Sequence, residues 1–257
     1  MPEKPAAGDI IRRLESLRNE KQREALMRFF KTGKGDYGEG DEFLGLTTPQ
    51  MRETVRSVWK DIPLEEVPEL LTNRWHEVRL CGFCILVEKF GHLATKRLAS
   101  DETAIGRRDE IVRLYLKYAE HANNWDLVDT SVYKILGAWL LLPSRLGGRG
   151  KKRKVLDRLA KSDNLWKQRM SIVATWKTSQ QGDPSWCLRY AEMHLRHPHD
   201  LMHKAVGWML REMGKRTDMD ILRGFLAEHA HEMPRTALRY AIERMTAEER
   251  RYWMAKR

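Results

Sequence analysis

Strand-forming sequence is nearly missing from this chain of 257 residues. Alternating runs of β-branched and aromatic residues do not occur, which argues against a sheet-based fold. Long apolar runs are missing too. The longest, "ILGAWLLLP" (135–143), is too short to span a bilayer. The polar opening "MPEKPAAGDI" does not read as a signal peptide. Cysteine is scarce at 3 residues, which suits a reducing cytoplasm better than a disulfide scaffold. No Gly-rich phosphate loop and no GxSxG elbow is present, so nucleotide-binding and serine-hydrolase readings lack their parts. "CGFC" (81–84) has redox spacing but sits in a helical, apolar pattern that favours burial of Cys81 and Cys84. "HLRHPHDLMH" (194–203) is rich in histidine but lacks the fixed pairs of a zinc site. No metal and no cofactor are expected.

What is present is helix and positive charge. Hydrophobic residues make up 42%, enough for a folded core, and the formal net charge is +11. A basic excess of that size calls for a polyanion, with nucleic acid ahead of a lipid surface. A soluble protein that is simply basic is the plain alternative. Helical periodicity runs through almost the whole chain. It predicts one helix over 8–31, a glycine-rich loop "GKGDYGEGDEF" (33–43), and a helix opening at "TTPQMRETVRSVW" with Thr48 as cap. Further helices fit 63–72, 74–91, 104–120, 124–142, 152–161, 163–180, 184–196, 199–215, 217–229 and 232–246.

Four segments look alike: "NRWHEVRLCGF" (73–83), "NNWDLVDTSVY" (123–133), "NLWKQRMSIVA" (164–174) and "DLMHKAVGWML" (200–210). Each starts with Asn or Asp, a natural cap, and places a large residue two positions on: Trp75, Trp125, Trp166, Met202. Their spacing fits two-helix HEAT-like repeats. The expectation is one all-α domain over 1–257, a superhelical solenoid of paired antiparallel helices with a concave DNA-binding face. N-terminal helices would fill about 8–60, repeats about 63–246, and a short helix the C-terminus.

Repeat equivalence allows Trp125 to be a packing residue. Asp129 is harder to explain that way, because Arg79, Met170 and the region of Val206 stand at its equivalents. A carboxylate on a face that meets DNA repels phosphate, so it needs a chemical reason. Trp125 and Asp129 are an i, i+4 pair on one helix face. A ring and a carboxylate together suit a substrate that develops positive charge. Trp208, beside Gly207 in "HKAVGWMLRE", is a second aromatic candidate, with core packing as its alternative. Basic residues recur near helix starts: Arg52, Arg56, Lys167, Arg169, Lys204, Arg211 and Arg235. "RLGGRGKKRK" (145–154) reads as a flexible basic loop that contacts nucleic acid, or as a solvated linker.

"WDLVD" (125–129), "NLWKQRMSIV" (164–173), "KAVGWMLREMGK" (204–215) and "FLGLTTPQMR" (43–52) together resemble the AlkD-like family of DNA alkylpurine glycosylases. The matches are in order and span about residues 8–246. The resemblance implies a HEAT-like solenoid that grips duplex DNA and releases cationic bases such as 3-methyladenine and 7-methylguanine. It puts the catalytic aspartate at Asp129 and the two cleft tryptophans at Trp125 and Trp208. It puts a phosphate contact at Arg169, with others at Arg52, Arg211 and Arg235. Thr48, Lys204, Lys151 and Lys152 complete the candidate DNA contacts. The family leaves the lesion in the duplex, which agrees with the lack of an obvious base pocket in the sequence. Two departures stand out: Asn124 where some members carry an aromatic, and a longer basic segment at 145–154. The implied protein is a cytoplasmic monomer, nucleoid-associated when bound to DNA. Its rivals are a non-catalytic DNA-binding solenoid and a protein–protein scaffold.

Overall fold

The computed structural model describes residues 4–256, so residues 1–3 and 257 of the expected domain lie outside it. Among the described residues every regular element is a helix, and the nearest approach to a strand is one isolated parallel bridge between Glu42 and Trp75. The chain divides into two compact units, 1–131 and 132–257. The first holds α1 (Ala7–Ser16), α2 (Glu20–Phe29), α3 (Thr48–Val58), α4 (Val67–Leu71), α5 (His76–Leu93), α6 (Glu102–Lys117) and most of α7 (Trp125–Val132). The second holds a π-helical turn (Tyr133–Gly137), α8 (Ala138–Leu141), α9 (Arg149–Ala160), α10 (Leu165–Val173), α11 (Trp176–Gln180), α12 (Ser185–Met193), α13 (Asp200–Arg216), α14 (Met219–His229), α15 (Arg235–Ala241) and α16 (Ala247–Ala255).

Side-chain caps explain where the helices differ from their periodic pattern. The helix expected over 8–31 is broken at Asn19, whose side chain accepts from the Gln22 N–H at 3.0 Å and starts α2. Asn19 also donates its own N–H to the Leu44 carbonyl at 3.0 Å. Thr47, not Thr48, caps α3: it forms a capping box with Gln50, and Thr48 is already helical. The helix expected over 163–180 splits into α10 and α11. There Ser171, Thr175 and Thr178 hydroxyls bond back to carbonyls one turn earlier, which loosens the ladder.

The first unit wraps its core around a glycine-rich loop. At Gly45 the backbone has φ +87°, and a Cβ there would stand 2.1 Å from the Asn19 carbonyl oxygen, so only glycine fits. Buried Glu77 holds the same loop from α5, accepting the N–H groups of Leu44, Gly45 and Leu46 at 2.8–3.0 Å. Those three donors satisfy a carboxylate that would otherwise be costly to bury.

In the second unit α13 packs on α15 through Gly207. A Cβ there would meet the Ala237 carbonyl oxygen at 2.3 Å and the Tyr240 Cβ at 2.5 Å. The room beside Trp208 is therefore taken by the neighbouring helix rather than left for a ligand. The basic stretch 145–154 is also not a loop throughout. Gly148 caps α9, and Arg149, Lys151, Lys152, Arg153 and Lys154 lie on its first turns.

A candidate active site at the start of α7

α7 begins at Trp125, and its start is built from buried polar groups. Asn124 is fully buried; its side-chain oxygen accepts from the Trp125 N–H at 2.9 Å, and its Nδ2 donates to Asp41 at 3.2 Å. The expected repeat cap was Asn123, one residue earlier. In the other two Asn-led repeats an asparagine two residues before the tryptophan accepts its N–H, Asn73 from Trp75 and Asn164 from Trp166, each at 3.0 Å, but only Asn164 caps its helix, because α5 starts after Trp75. The shift at α7 has a cause: Asn124 must also reach Asp41.

Asp41 and Asp126 hold His76 between them. His76 Nδ1 lies 2.7 Å from Asp41 Oδ2, and Nε2 lies 2.9 Å from Asp126 Oδ2. Arg79 pairs with the second oxygen of Asp41 and donates to the Asn73 and Arg74 carbonyls at 2.8 Å. His76 is only 1% exposed. Burial by itself disfavours an imidazolium, yet Asp126 first and Asp41 second raise the His76 pKa to about 9. Burial likewise pushes the Asp41 carboxyl up, but the His76 contact, Arg79 and Asn124 outweigh it and hold Asp41 below its ordinary value.

Aromatic rings cover this ionic group. His76 stacks on Phe43 at 4.3 Å and lies 5.1 Å from Phe30; Phe30 in turn stacks on Trp125 at 5.3 Å. Phe29 meets Trp125 edge-on at 5.9 Å and is 63% exposed. Beside the rings is a cleft of about 320 Å³. Trp125 and Asp126 line it, as do Thr48 and Arg52 at the start of α3 and Cys84 of α5. Thr48 and Arg52 are exposed.

The repeat-equivalent residues have different fates. Trp75 is 8% exposed, with its indole donating to Glu15 at 3.0 Å and lying beside the Arg74 guanidinium at 4.5 Å. Trp166 is 6% exposed and Met202 is fully buried, whereas Trp125 is half-buried. Asp129, one turn beyond Trp125, is also partly exposed, while its repeat equivalents Arg79 and Met170 are buried. α7 thus differs from its relatives at both positions.

The remaining candidates lie in the second unit, and several are occupied within it. Trp208 is half-buried on α13. Arg169 is buried and donates to the Leu201 carbonyl at 2.5 Å. Arg211 pairs with Glu212 at 3.3 Å and with Glu243. Lys204 pairs with Asp200 at 2.7 Å, and exposed Arg235 donates to the Met254 carbonyl at 2.6 Å. Lys151 is exposed. Lys152 points inward instead: it is 5% exposed, its ammonium donates to the Leu142 carbonyl at 2.6 Å, and it sits 5.3 Å from the Trp139 ring centre. It satisfies carbonyls at the end of α8 rather than meeting a phosphate, as expected of the basic run.

Sequence reading missed His76, Asp41, Glu77 and the Phe29–Phe30 pair. Asp126 was visible inside "WDLVD" but had no assigned partner. The histidines of 194–203 serve the fold: His199 accepts from the Leu201 N–H at 3.1 Å, and buried His194 lies 2.8 Å from the Ser171 hydroxyl.

Residues 10–245 match the family described as DNA alkylation repair enzyme. The fold is similar to the solved structure of a "Predicted DNA alkylation repair enzyme from Enterococcus faecalis", with a TM-score of 0.64 at 13% identity over 90% of this chain and 97% of that one. No curated protein matches the chain. The family match covers most of the sequence, and the chain belongs to the DNA alkylation repair enzyme family.

Proposed function

We propose that this protein is a monofunctional DNA glycosylase that hydrolyses the N-glycosidic bond of cationic alkylated purines in duplex DNA. The observation that carries the reading is the partial exposure of Trp125 and Asp129 on one face of α7 where repeat-equivalent Trp75, Trp166, Arg79 and Met170 are buried. Partial exposure of a large ring forfeits part of the about 1.5–3 kcal/mol that full burial of a large apolar side chain contributes. Function is the ready compensation.

The chemistry follows from the leaving group. A purine alkylated at N3 or N7 carries a positive charge and departs neutral, so no general acid is needed. Positive charge passes to the sugar as the bond breaks. The Asp129 carboxylate stabilises that oxocarbenium-like sugar and orients the attacking water, and the electron-rich Trp125 ring face adds to the same field. Water supplies the hydroxyl to the sugar carbon, and its remaining proton goes to solvent. Trp208 enters as the second indole on the family resemblance alone. No lysine is placed as a Schiff-base nucleophile, so the reaction ends at the abasic site. Exposed Thr48 and Arg52 on the rim of the Trp125 cleft suit contacts to the DNA backbone. The protein acts as a monomer. Among the described residues no helix is long and apolar enough to cross a membrane.

The test is incubation with duplex DNA containing 7-methylguanine, with free base as the readout. The Asp129→Asn variant should bind DNA nearly as well but release base roughly 10–1,000-fold more slowly. Tight DNA binding without release by the unaltered protein would instead identify a non-catalytic DNA-binding relative.

A further inference from the structure

Asp126 lies inside the same short motif as Trp125 and Asp129, yet the chemistry above leaves it without a task. Its surroundings give it one. Asp126 Oδ1 accepts from the Leu127 N–H at 2.9 Å at the start of α7, while Oδ2 faces His76 at 2.9 Å. The far side of His76 meets Asp41, which Arg79 and Asn124 also hold. Asp41 sits in the loop before α3, His76 opens α5, and Asp126 is in the first turn of α7. One imidazole therefore ties three parts of the unit together.

We propose that His76, acting as a doubly donating imidazolium between Asp41 and Asp126, is the positioning residue that fixes the start of α7 and so aims Trp125 and Asp129. An imidazolium has two N–H donors, whereas neutral imidazole has one. On losing its proton, His76 must present a lone pair to one of two carboxylates less than 3 Å away. Asp41 keeps Arg79 and Asn124, so Asp126 is the partner released. The other ionisable groups around the cleft do not substitute for it. Glu77 is engaged by three backbone N–H groups, Arg52 is on the exposed rim, and Cys84 lines the wall. At the end of α2 it is a ring that meets His76: Phe30, just beyond Phe29, lies 5.1 Å from His76 and stacks on Trp125. Movement of His76 is thus passed to Trp125 by two routes, through Asp126 along the backbone and through Phe30 by ring contact.

The inference rests on the glycosylase reading for its catalytic consequence, but its structural core does not. Single-turnover release of 7-methylguanine is measured from pH 6 to 10, with spontaneous release subtracted. In parallel, NMR follows the His76 ring and the Trp125 indole N–H, the latter identified from Trp125→Phe. Release should be level to about pH 8.5 and fall near the pH where His76 titrates, about 9, with the Trp125 signal moving at the same midpoint. Asp126→Asn keeps a hydrogen-bond acceptor but removes the charge, so both midpoints should drop by about 1–3 pH units. His76→Gln should release base more slowly at every pH and lose the alkaline fall. Should His76→Gln fail to fold, the Asp126→Asn shift still decides the matter. A His76 midpoint near its ordinary 6.5, or a Trp125 signal indifferent to His76 titration, overturns the proposal. If the protein releases no base at any pH, the glycosylase reading falls, and the coupled or uncoupled titration of Trp125 alone decides this one.

Discussion

Each unit contains a histidine almost removed from water, His76 at 1% and His194 at 4% exposure, and the two end in opposite charge states. Burial disfavours the cation in both. In the first unit two carboxylates overcome that cost and raise His76 to about 9. In the second, His194 faces a neutral Ser171 hydroxyl, and His197 nearby adds like charge, so its pKa falls to about 4. The helix starts of the same units differ in parallel. Trp166 fills a buried packing position, while Trp125 is left partly exposed beside a charged network. The second unit uses its repeat to pack. The first buries Trp75 at that position but leaves Trp125 partly exposed, with buried charge beside it.

The sharpest way to break this contrast is to remove the two tryptophans. Trp166→Ala should lower stability by roughly 3–5 kcal/mol, the scale for a buried ring. Trp125→Ala should cost less, since the ring is already partly exposed, yet it should lose most base release. Thermal melts beside a release assay measure both. Equal losses of stability, with activity falling only with the folded fraction, would return Trp125 to a packing role.

The histidines offer a second test, read in pH. His76 has a folded pKa above its ordinary 6.5. The stability it contributes is therefore complete below about pH 6.5 and lost as pH rises through about 9. His194 has the opposite sign. Its contribution is complete above about 6.5 and lost as pH falls through about 4. Comparing the unaltered protein with His76→Gln and His194→Gln by urea unfolding at several pH values should remove the alkaline slope in one and the acid slope in the other. A common slope in both variants would mean that neither buried ring controls it.

The contrast also shows what was legible in the chain. Helical class, most helix positions and the distinction of Trp125 and Asp129 follow from local spacing and from a four-fold repeat in which one member breaks the pattern. The support does not. Asp41, His76 and Asp126 are separated by 35 and 50 residues, and no local pattern links an acid in a glycine loop to a histidine at a distant helix start. Caps were readable as residue types but not to the residue. Thr48 was expected where Thr47 caps, and Asn123 where Asn124 does, because the second hydrogen bond that selects the cap depends on the folded surroundings. The basic run 145–154 carried a correct charge, but its helix starts earlier than the expected 152. Its glycines suggested a loop, whereas Gly148 serves as a cap and the cations ride on a helix.

That helix supplies the smallest expected effect and a last comparison, now between neighbours. Lys151, Arg153 and Lys154 are exposed on α9, whereas Lys152 between them is turned into the unit onto the Leu142 carbonyl. A helix start crowded with cations is poorly matched to its own dipole, which favours anions there. A DNA phosphate would relieve that mismatch. Replacing Lys151, Arg153 and Lys154 with Ser should weaken binding alike for all duplex sequences. It should flatten the slope of log K against log salt by up to about 0.9 for each phosphate that is no longer neutralised. Lys152→Ser should leave that slope alone and instead lower the melting temperature, because the carbonyls at the end of α8 lose their donor. A salt slope that changes with Lys152 but not with the other three would reverse the assignment and show that the inward lysine swings out to meet DNA.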